Sequence, residues 1–164
     1  MSRLDSFIRR LQAQRACLDR AVELIRDLPG PVLELGLGNG RTYDHLRERL
    51  RERAIYAFDR QVAAHPDCIP PAPFLIVGEA RETLPQLRAR IGATAALVHA
   101  DLGSGDIAAT RRQAMELAPL IAALLRPGGI VVSDQPLETA RLQALDLPAG
   151  VKPGRYFLYR AAEN

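Results

Sequence analysis

The sequence predicts an α/β domain built on a doubly wound, mostly parallel sheet, and three observations lead there. Short apolar runs alternate with helical stretches from Val32 to Ser133, the order of repeated strand-helix-strand units. The runs are solidly apolar instead of alternating, as strands covered on both faces are. Gly36, Gly38 and Gly40 crowd the turn between the first run and its helix, where glycine permits positive φ and lets a ligand approach the backbone.

The elements follow in order. From Leu4 to Leu28, apolar residues recur at Leu4, Phe7, Ile8, Leu11, Leu18, Val22, Ile25 and Leu28, the spacing of one helical face, and Pro29-Gly30-Pro31 stops the helix. Its polar face mixes arginines with Asp5, Asp19, Glu23 and Asp27. Those acids weaken attraction to anionic lipid, so the helix is expected to pack on the domain or on a second subunit. The chain then predicts a strand at Val32–Leu35, a helix at Thr42–Arg53, strands at Ile55–Phe58 and Phe74–Val77, and a helix at Arg81–Ile91. A strand at Ala95–Ala100 and a helix at Ile107–Leu125 come next. Pro127-Gly128-Gly129 is expected to end that helix before a fifth strand at Ile130–Ser133. Two extended stretches, Arg141–Leu147 and Arg155–Arg160, flank a turn-rich segment and predict an antiparallel hairpin on the sheet edge. One domain over residues 1–164 accounts for the chain: a helix at 1–28, a core at 31–135 and a hairpin at 141–160, seven strands in all.

Composition excludes several classes. With 48% hydrophobic residues and a net charge of +3, the chain is neither disordered nor a polyanion-binding tail. Nearly every basic residue is arginine, with Lys152 the only lysine, and the arginines are scattered. They are expected to be solvated helix faces, which disfavours nucleic acid. The apolar stretches Thr94–Ala100 and Leu117–Leu125 fall short of the ~20 residues of a membrane span. Arg3, Asp5, Arg9 and Arg10 occupy the place of a signal peptide's apolar core, so a cytoplasmic location is expected. Cys17 and Cys68 form no CxxC pair, and reduced thiols are expected.

The chemistry concentrates in Val32-Leu33-Glu34-Leu35-Gly36-Leu37-Gly38-Asn39-Gly40-Arg41-Thr42. Its spacing is GxGxG, unlike the GxGxxG of dinucleotide-binding dehydrogenases. Glu34 just before it would accept hydrogen bonds from an ammonium group or from the loop's own amides, and would not welcome a pyrophosphate. This segment resembles the first motif of the class I S-adenosylmethionine-dependent methyltransferases. Asp59, followed by Arg60, stands at the second strand's end where that family keeps an acid for the ribose hydroxyls. Gly78-Glu79-Ala80 resembles the segment along the adenine ring, and His99-Ala100-Asp101 ends the fourth strand where the family faces methionine and substrate. The resemblance implies a Rossmann-like fold with S-adenosyl-L-methionine as cofactor and S-adenosyl-L-homocysteine as product. It assigns cofactor binding to Glu34, Gly36, Leu37, Gly38, Asn39, Gly40, Thr42, Asp59, Arg60, Gly78, Glu79, Ala80 and Asp101.

A closer resemblance is to the catechol and caffeoyl-coenzyme A O-methyltransferases, which bind a divalent metal through an Asp after the fourth strand and an Asp-Asn after the fifth. Asp101 and Asp134 match, but Gln135 replaces the Asn, so a metal is possible and not assigned. Without one, Asp101 and Asp134 are expected to form the catalytic pair, orienting the acceptor or acting as base. His99 is expected to turn to the sheet face opposite Asp101, as a core residue. His45 and His65 carry no role. No Asn/Asp-Pro-Pro-Tyr signature follows the fourth strand and no Pro-Cys pair occurs, which disfavours adenine-N6, glutamine and pyrimidine-C5 methylation. No insertion long enough to make a lid is seen, so the pocket is open, or closed by the N-terminal helix of the same chain or of a homodimer partner. A small-molecule acceptor is expected. A protein or RNA acceptor, a non-catalytic partner subunit and a nicotinamide-dependent oxidoreductase are the alternatives.

Overall fold

A computed structural model describes residues 2–163 of the chain. Its elements are α1 (Arg3–Leu24), β1 (Val32–Leu35), α2 (Arg41–Arg49), β2 (Ile55–Asp59), β3 (Leu75–Val77), α3 (Ala80–Ile91), β4 (Ala95–Ala100), α4 (Ile107–Leu124), β5 (Leu125–Ser133), β6 (Leu142–Ala144) and β7 (Phe157–Ala161). The seven strands form one sheet in the order β3-β2-β1-β4-β5-β7-β6. The first five are parallel, while β7 runs antiparallel to both β5 and β6. Chain order therefore reverses between β1 and β4, and the crevice outside their carboxyl ends is where such a sheet binds its ligand.

Helices cover both faces. Leu84 and Leu87 of α3 and Leu117 and Ile121 of α4 pack on one side with Leu33, Leu35, Val98 and Val131. Cys17, Leu18 and Ala21 of α1 and Leu46 of α2 pack on the other with Val32, Leu97, Ile130 and Val132. That double cover is why β1 and β4 are buried along their whole lengths. Each fully buried Leu, Ile or Val contributes roughly 1.5–3 kcal/mol.

The structure corrects three expectations. Ser2 caps α1 through a reciprocal pair with Asp5, but only the second half of its apolar face is buried, with Ala13, Gln14, Cys17, Leu18, Ala21 and Ile25 inside. Leu4, Phe7 and Ile8 stand exposed at its outer end. The second helix stops at Arg49, because Arg53 is drawn away to donate to the carbonyls of Ile25, Leu28 and Gly30 and so ties the α1–β1 turn to the chain before β2. Pro127-Gly128-Gly129 does not precede β5 but lies inside it. Leu125 already pairs with Ala95, the next pair is Leu97 with Ile130, and the residues between bulge outward, with Gly128 at φ +76°. No described helix is long and apolar enough to cross a membrane.

Candidate functional site

The turn after β1 is shaped by what its amides and glycines meet. The N–H groups of Gly36 and Leu37 both donate to the Phe58 carbonyl, at 2.9 and 3.0 Å, folding the loop over the end of β2. Gly36 has φ +86°, and a Cβ there would lie 2.5 Å from the Asp101 carbonyl oxygen, so only glycine fits between β1 and β4. Gly38 has φ +52° and a Cβ on it would meet nothing within 4 Å. It faces a cavity of about 420 Å³ at the carboxyl edge of the sheet.

That cavity gathers most of the predicted residues. Gly36 and Gly38 form one wall, Asp59 and Arg60 the end of β2, Gly78, Glu79 and Ala80 the β3–α3 turn, and Asp101 the end of β4. The Asp59 carboxylate is fixed there: Oδ2 accepts the Gly38 N–H at 2.8 Å and Oδ1 the Gln61 N–H at 3.3 Å. Each oxygen keeps lone-pair capacity for another donor. A smaller recess of about 210 Å³ adjoins it, sharing Gly36, Gly38 and Asp101 and lined besides by Leu37, Asn39 and Thr42. Gly40 and Glu34 line neither space. Gly40 starts α2 in a left-handed conformation, and a Cβ there would collide with the Cys68 side chain.

Glu34 departs from its expected contacts. Its carboxylate holds no loop amide, since Asp59 takes that of Gly38. It is fully buried, accepts the Thr42 hydroxyl and pairs with His99 Nδ1 at 2.8 Å. The expected orientation of His99 was out by one residue. His99 and Asp101 are two apart on the chain, so they share a sheet face, and His99 stacks on Tyr156 at 6.4 Å between ring centroids. Burial alone would depress the imidazole, but the Glu34 carboxylate, through charge and hydrogen bond, with smaller help from Asp101 and Asp134, holds it above the usual histidine range.

Asp101 and Asp134 lie close, but their surroundings differ. Arg10 Nη2 reaches both Asp101 oxygens, at 3.0 and 3.1 Å, and Gln14 Nε2 donates to Oδ2 at 3.1 Å and to the Tyr156 hydroxyl at 2.6 Å. Asp134 lines neither space. Its oxygens accept the N–H groups of Leu102 and Gly103 at 2.8 and 3.0 Å, with Gln135 Nε2 at 3.2 Å. Burial raises its carboxyl above the ordinary range. The Leu102 hydrogen bond opposes that rise and the Asp101 charge adds to it. Asp134 therefore shapes the 102–104 loop, whose Leu102, Gly103 and Ser104 complete the cavity. Burial, reinforced by the Asp101 and Asp134 charges, likewise pushes the Tyr156 phenol well above its ordinary range.

These contacts leave a poor metal site. Asp134 already accepts three donors, Gln135 turns its nitrogen to Asp134, and Asp101 is engaged by Arg10 and Gln14. Among the described residues no group of three His, Cys, Asp or Glu side chains could hold an ion. A hard cation would need several free oxygens. Sequence reasoning missed Arg10, Gln14 and Tyr156, because nothing in a helical arginine pair or a tail tyrosine signals that both converge on the end of β4.

The S-adenosyl-L-methionine methyltransferase family matches residues 1–161 of the chain. The chain is similar, at 51% identity over 99% of both chains with a TM-score of 0.94, to an S-adenosyl-L-methionine methyl transferase from Silicibacter pomeroyi DSS-3. More distant structures share the fold. One is MycE methyltransferase of the mycinamycin biosynthetic pathway, in complex with Mg, SAH and mycinamycin VI, at 19% identity and a TM-score of 0.57 over 88% of this chain and 45% of that one. Another is the 16S rRNA (adenine(1408)-N(1))-methyltransferase of Catenulisporales acidiphilia with cosubstrate SAM, at 16% identity and 0.52 over 88% and 91%. No curated protein matches the chain significantly.

Proposed function

The chain belongs to the S-adenosyl-L-methionine methyltransferase family, and from that premise we propose that the cavity between the Gly36–Gly40 turn and Asp59 holds the cofactor, for methyl transfer to a small-molecule acceptor. The fixed carboxylate of Asp59 carries this reading. Two acceptor oxygens held on a cavity wall by the Gly38 and Gln61 amides suit the vicinal diol of a ribose. When bound, the cofactor supplies a methyl group on a sulfonium, electrophilic enough for direct displacement.

The chain's own residues then divide the work. Gly36 and Gly38 leave room for close approach, and Gly78, Glu79 and Ala80 offer a wall for the adenine ring. Asp101 is the carboxylate placed for an ammonium group and for orienting the acceptor, and we assign it the catalytic role. Asp134 is a positioning residue, acting through the 102–104 loop. Holding the acceptor in line with the methyl group is a large contribution that positioning alone can make to such catalysis.

A small acceptor is supported by the adjoining recess of about 210 Å³, which opens beside Asp101 under Phe7 and Leu11 of α1. Exposed Leu4, Phe7 and Ile8 at the end of that helix support a homodimer that covers the recess, with the enzyme at work in the cytoplasm. Labelled S-adenosyl-L-methionine, incubated with the enzyme and a cell extract divided into low-molecular-mass filtrate, protein and RNA, tests the acceptor class. Label transferred in the filtrate is the expected result. Transfer only to protein or RNA overturns the small-molecule reading and leaves the cofactor assignment standing.

A further inference from the structure

A second cavity, of about 540 Å³, lies between α1 and the segment joining β6 to β7, and it shares no residue with the cofactor cavity or its recess. Its lining carries four cations, Arg9 and Arg15 from α1 and Lys152 and Arg155 from the connecting segment, and no acid among the described residues. None of the four takes part in an ion pair among the described residues, although eight such pairs occur elsewhere. Among the described residues only Arg155 is engaged through its side chain, by a hydrogen bond of 3.5 Å to the Ser6 hydroxyl. Ala13, Ala16, Ala149 and Gly150, with Gln12 and Val151, form the rest of the wall.

Four like charges facing one groove without a counter-charge repel one another. Some arginines elsewhere in the chain do find carboxylates, as Arg10 has Asp101, Arg47 has Asp44 and Arg49 has Asp19, and what sets these four cations apart is that they line one groove together. The convergence is invisible in the sequence, because the cations come from two segments some 140 residues apart. We propose that this groove is a binding site for a compact ligand with several phosphate groups.

The chemistry selects that class. Three guanidinium forks and one ammonium match phosphate oxygens in charge and in donor geometry. A volume of 540 Å³ is that of a small-ligand site, larger than one phosphate needs. No aromatic side chain lines the groove, so it offers no stacking platform of the kind that holds single-stranded nucleic acid. The site also borders the reacting end of the molecule. Arg9, Ala13 and Arg15 alternate along α1 with Arg10 and Gln14, which hold Asp101, and Arg155 directly precedes Tyr156.

Calorimetric titration with sodium tripolyphosphate tests the site without reference to methyl transfer. The wild-type chain and an Arg15→Ala/Lys152→Ala variant are compared, with Arg88→Ala/Arg90→Ala on α3 as a charge-matched control and circular dichroism to show that each is folded. The expected result is binding by the wild type and the control, weakened at least tenfold in the groove variant, with affinity falling as salt rises. ATP in a parallel titration separates two sources of the same chemistry. Groove-dependent binding equal to tripolyphosphate means phosphates alone are read, and groove-dependent binding that is tighter means a nucleoside polyphosphate. Absence of tripolyphosphate binding, or equal weakening in the groove and control variants, overturns the proposal. So does a groove-dependent preference for single-stranded RNA over tripolyphosphate.

Discussion

Arg10 and Asp101 meet on the wall of the cavity at the carboxyl edge of the sheet, one guanidinium nitrogen lying 3.0 and 3.1 Å from the two carboxylate oxygens. The contact closes α1 over the end of β4 across 91 positions of sequence. Its partners are 40% and 24% exposed in their side chains, so solvent screens much of the attraction and the pair contributes at most about 1 kcal/mol to stability. Arg10→Ala is therefore expected to melt within a few degrees of the wild type. Asp101→Asn is expected to keep the fold too, while kcat/KM falls by an order of magnitude or more, because the charge that faces the reactants is gone. Thermal melts and steady-state rates check both. A large loss of melting temperature in Arg10→Ala would show that α1 is anchored by this pair and not by its buried half.

Two glycines of the same loop are expected to fail differently. At Gly36 an alanine needs both a left-handed backbone and space already taken by the Asp101 carbonyl at 2.5 Å, at a cost of at least about 2 kcal/mol. At Gly38 nothing stands within 4 Å of the added carbon, so only the backbone term applies, about 1–2 kcal/mol. Gly36→Ala should unfold at clearly lower denaturant than Gly38→Ala, whereas Gly38→Ala should stay folded and bind S-adenosyl-L-homocysteine more weakly. Equal midpoints would remove the steric account of Gly36.

The buried Glu34–His99 pair gives stability a pH dependence whose sign can be worked out. His99 is held above its ordinary value in the folded chain, so its stabilisation is complete below the unfolded value of roughly 6.5. It is lost as pH rises through the raised folded value. Glu34→Gln removes the charge, and burial then depresses the imidazole, so the same histidine should make stability fall as pH drops below roughly 6.5. Breaking such a pair costs about 3–5 kcal/mol. Melting temperature between pH 5 and 9 in the two proteins is the check. Parallel profiles would mean that His99 does not carry the charge.

The sequence carried the β-α-β order because strands covered on both faces read as unbroken apolar runs, as Val32–Leu35 and Ala95–Ala100 do. It carried the glycine turn, Asp59 and Asp101 because the ends of β1, β2 and β4 are fixed by that order. What escaped depends on packing between distant segments. Periodicity on α1 put Leu4, Phe7 and Ile8 on one face with Leu18 and Ile25, but it could not tell that only the second half of that face is buried in this chain and that these three stand exposed. Pro127-Gly128-Gly129 reads as a helix stop, and only the pairing of Leu125 with Ala95 reveals a bulge. Asp134 and Asp101 look equivalent as strand-end acids, and only the folded structure separates Asp101, on the cavity wall, from Asp134, which holds the 102–104 loop.

Asp59 offers the most direct test that the cavity holds the cofactor. Its carboxylate lines the cavity and holds only the exposed Gly38 and Gln61 amides, so Asp59→Ala should fold normally while losing the contact to a ribose diol. Hydrogen bonds to a charged group are each worth about 1.5–3 kcal/mol, roughly 10- to 100-fold in affinity. Isothermal titration with S-adenosyl-L-homocysteine should show one site per chain in the wild type and binding weaker by that factor in Asp59→Ala. Unchanged affinity in the variant, or no binding by the folded wild type, would contradict the assignment of this cavity.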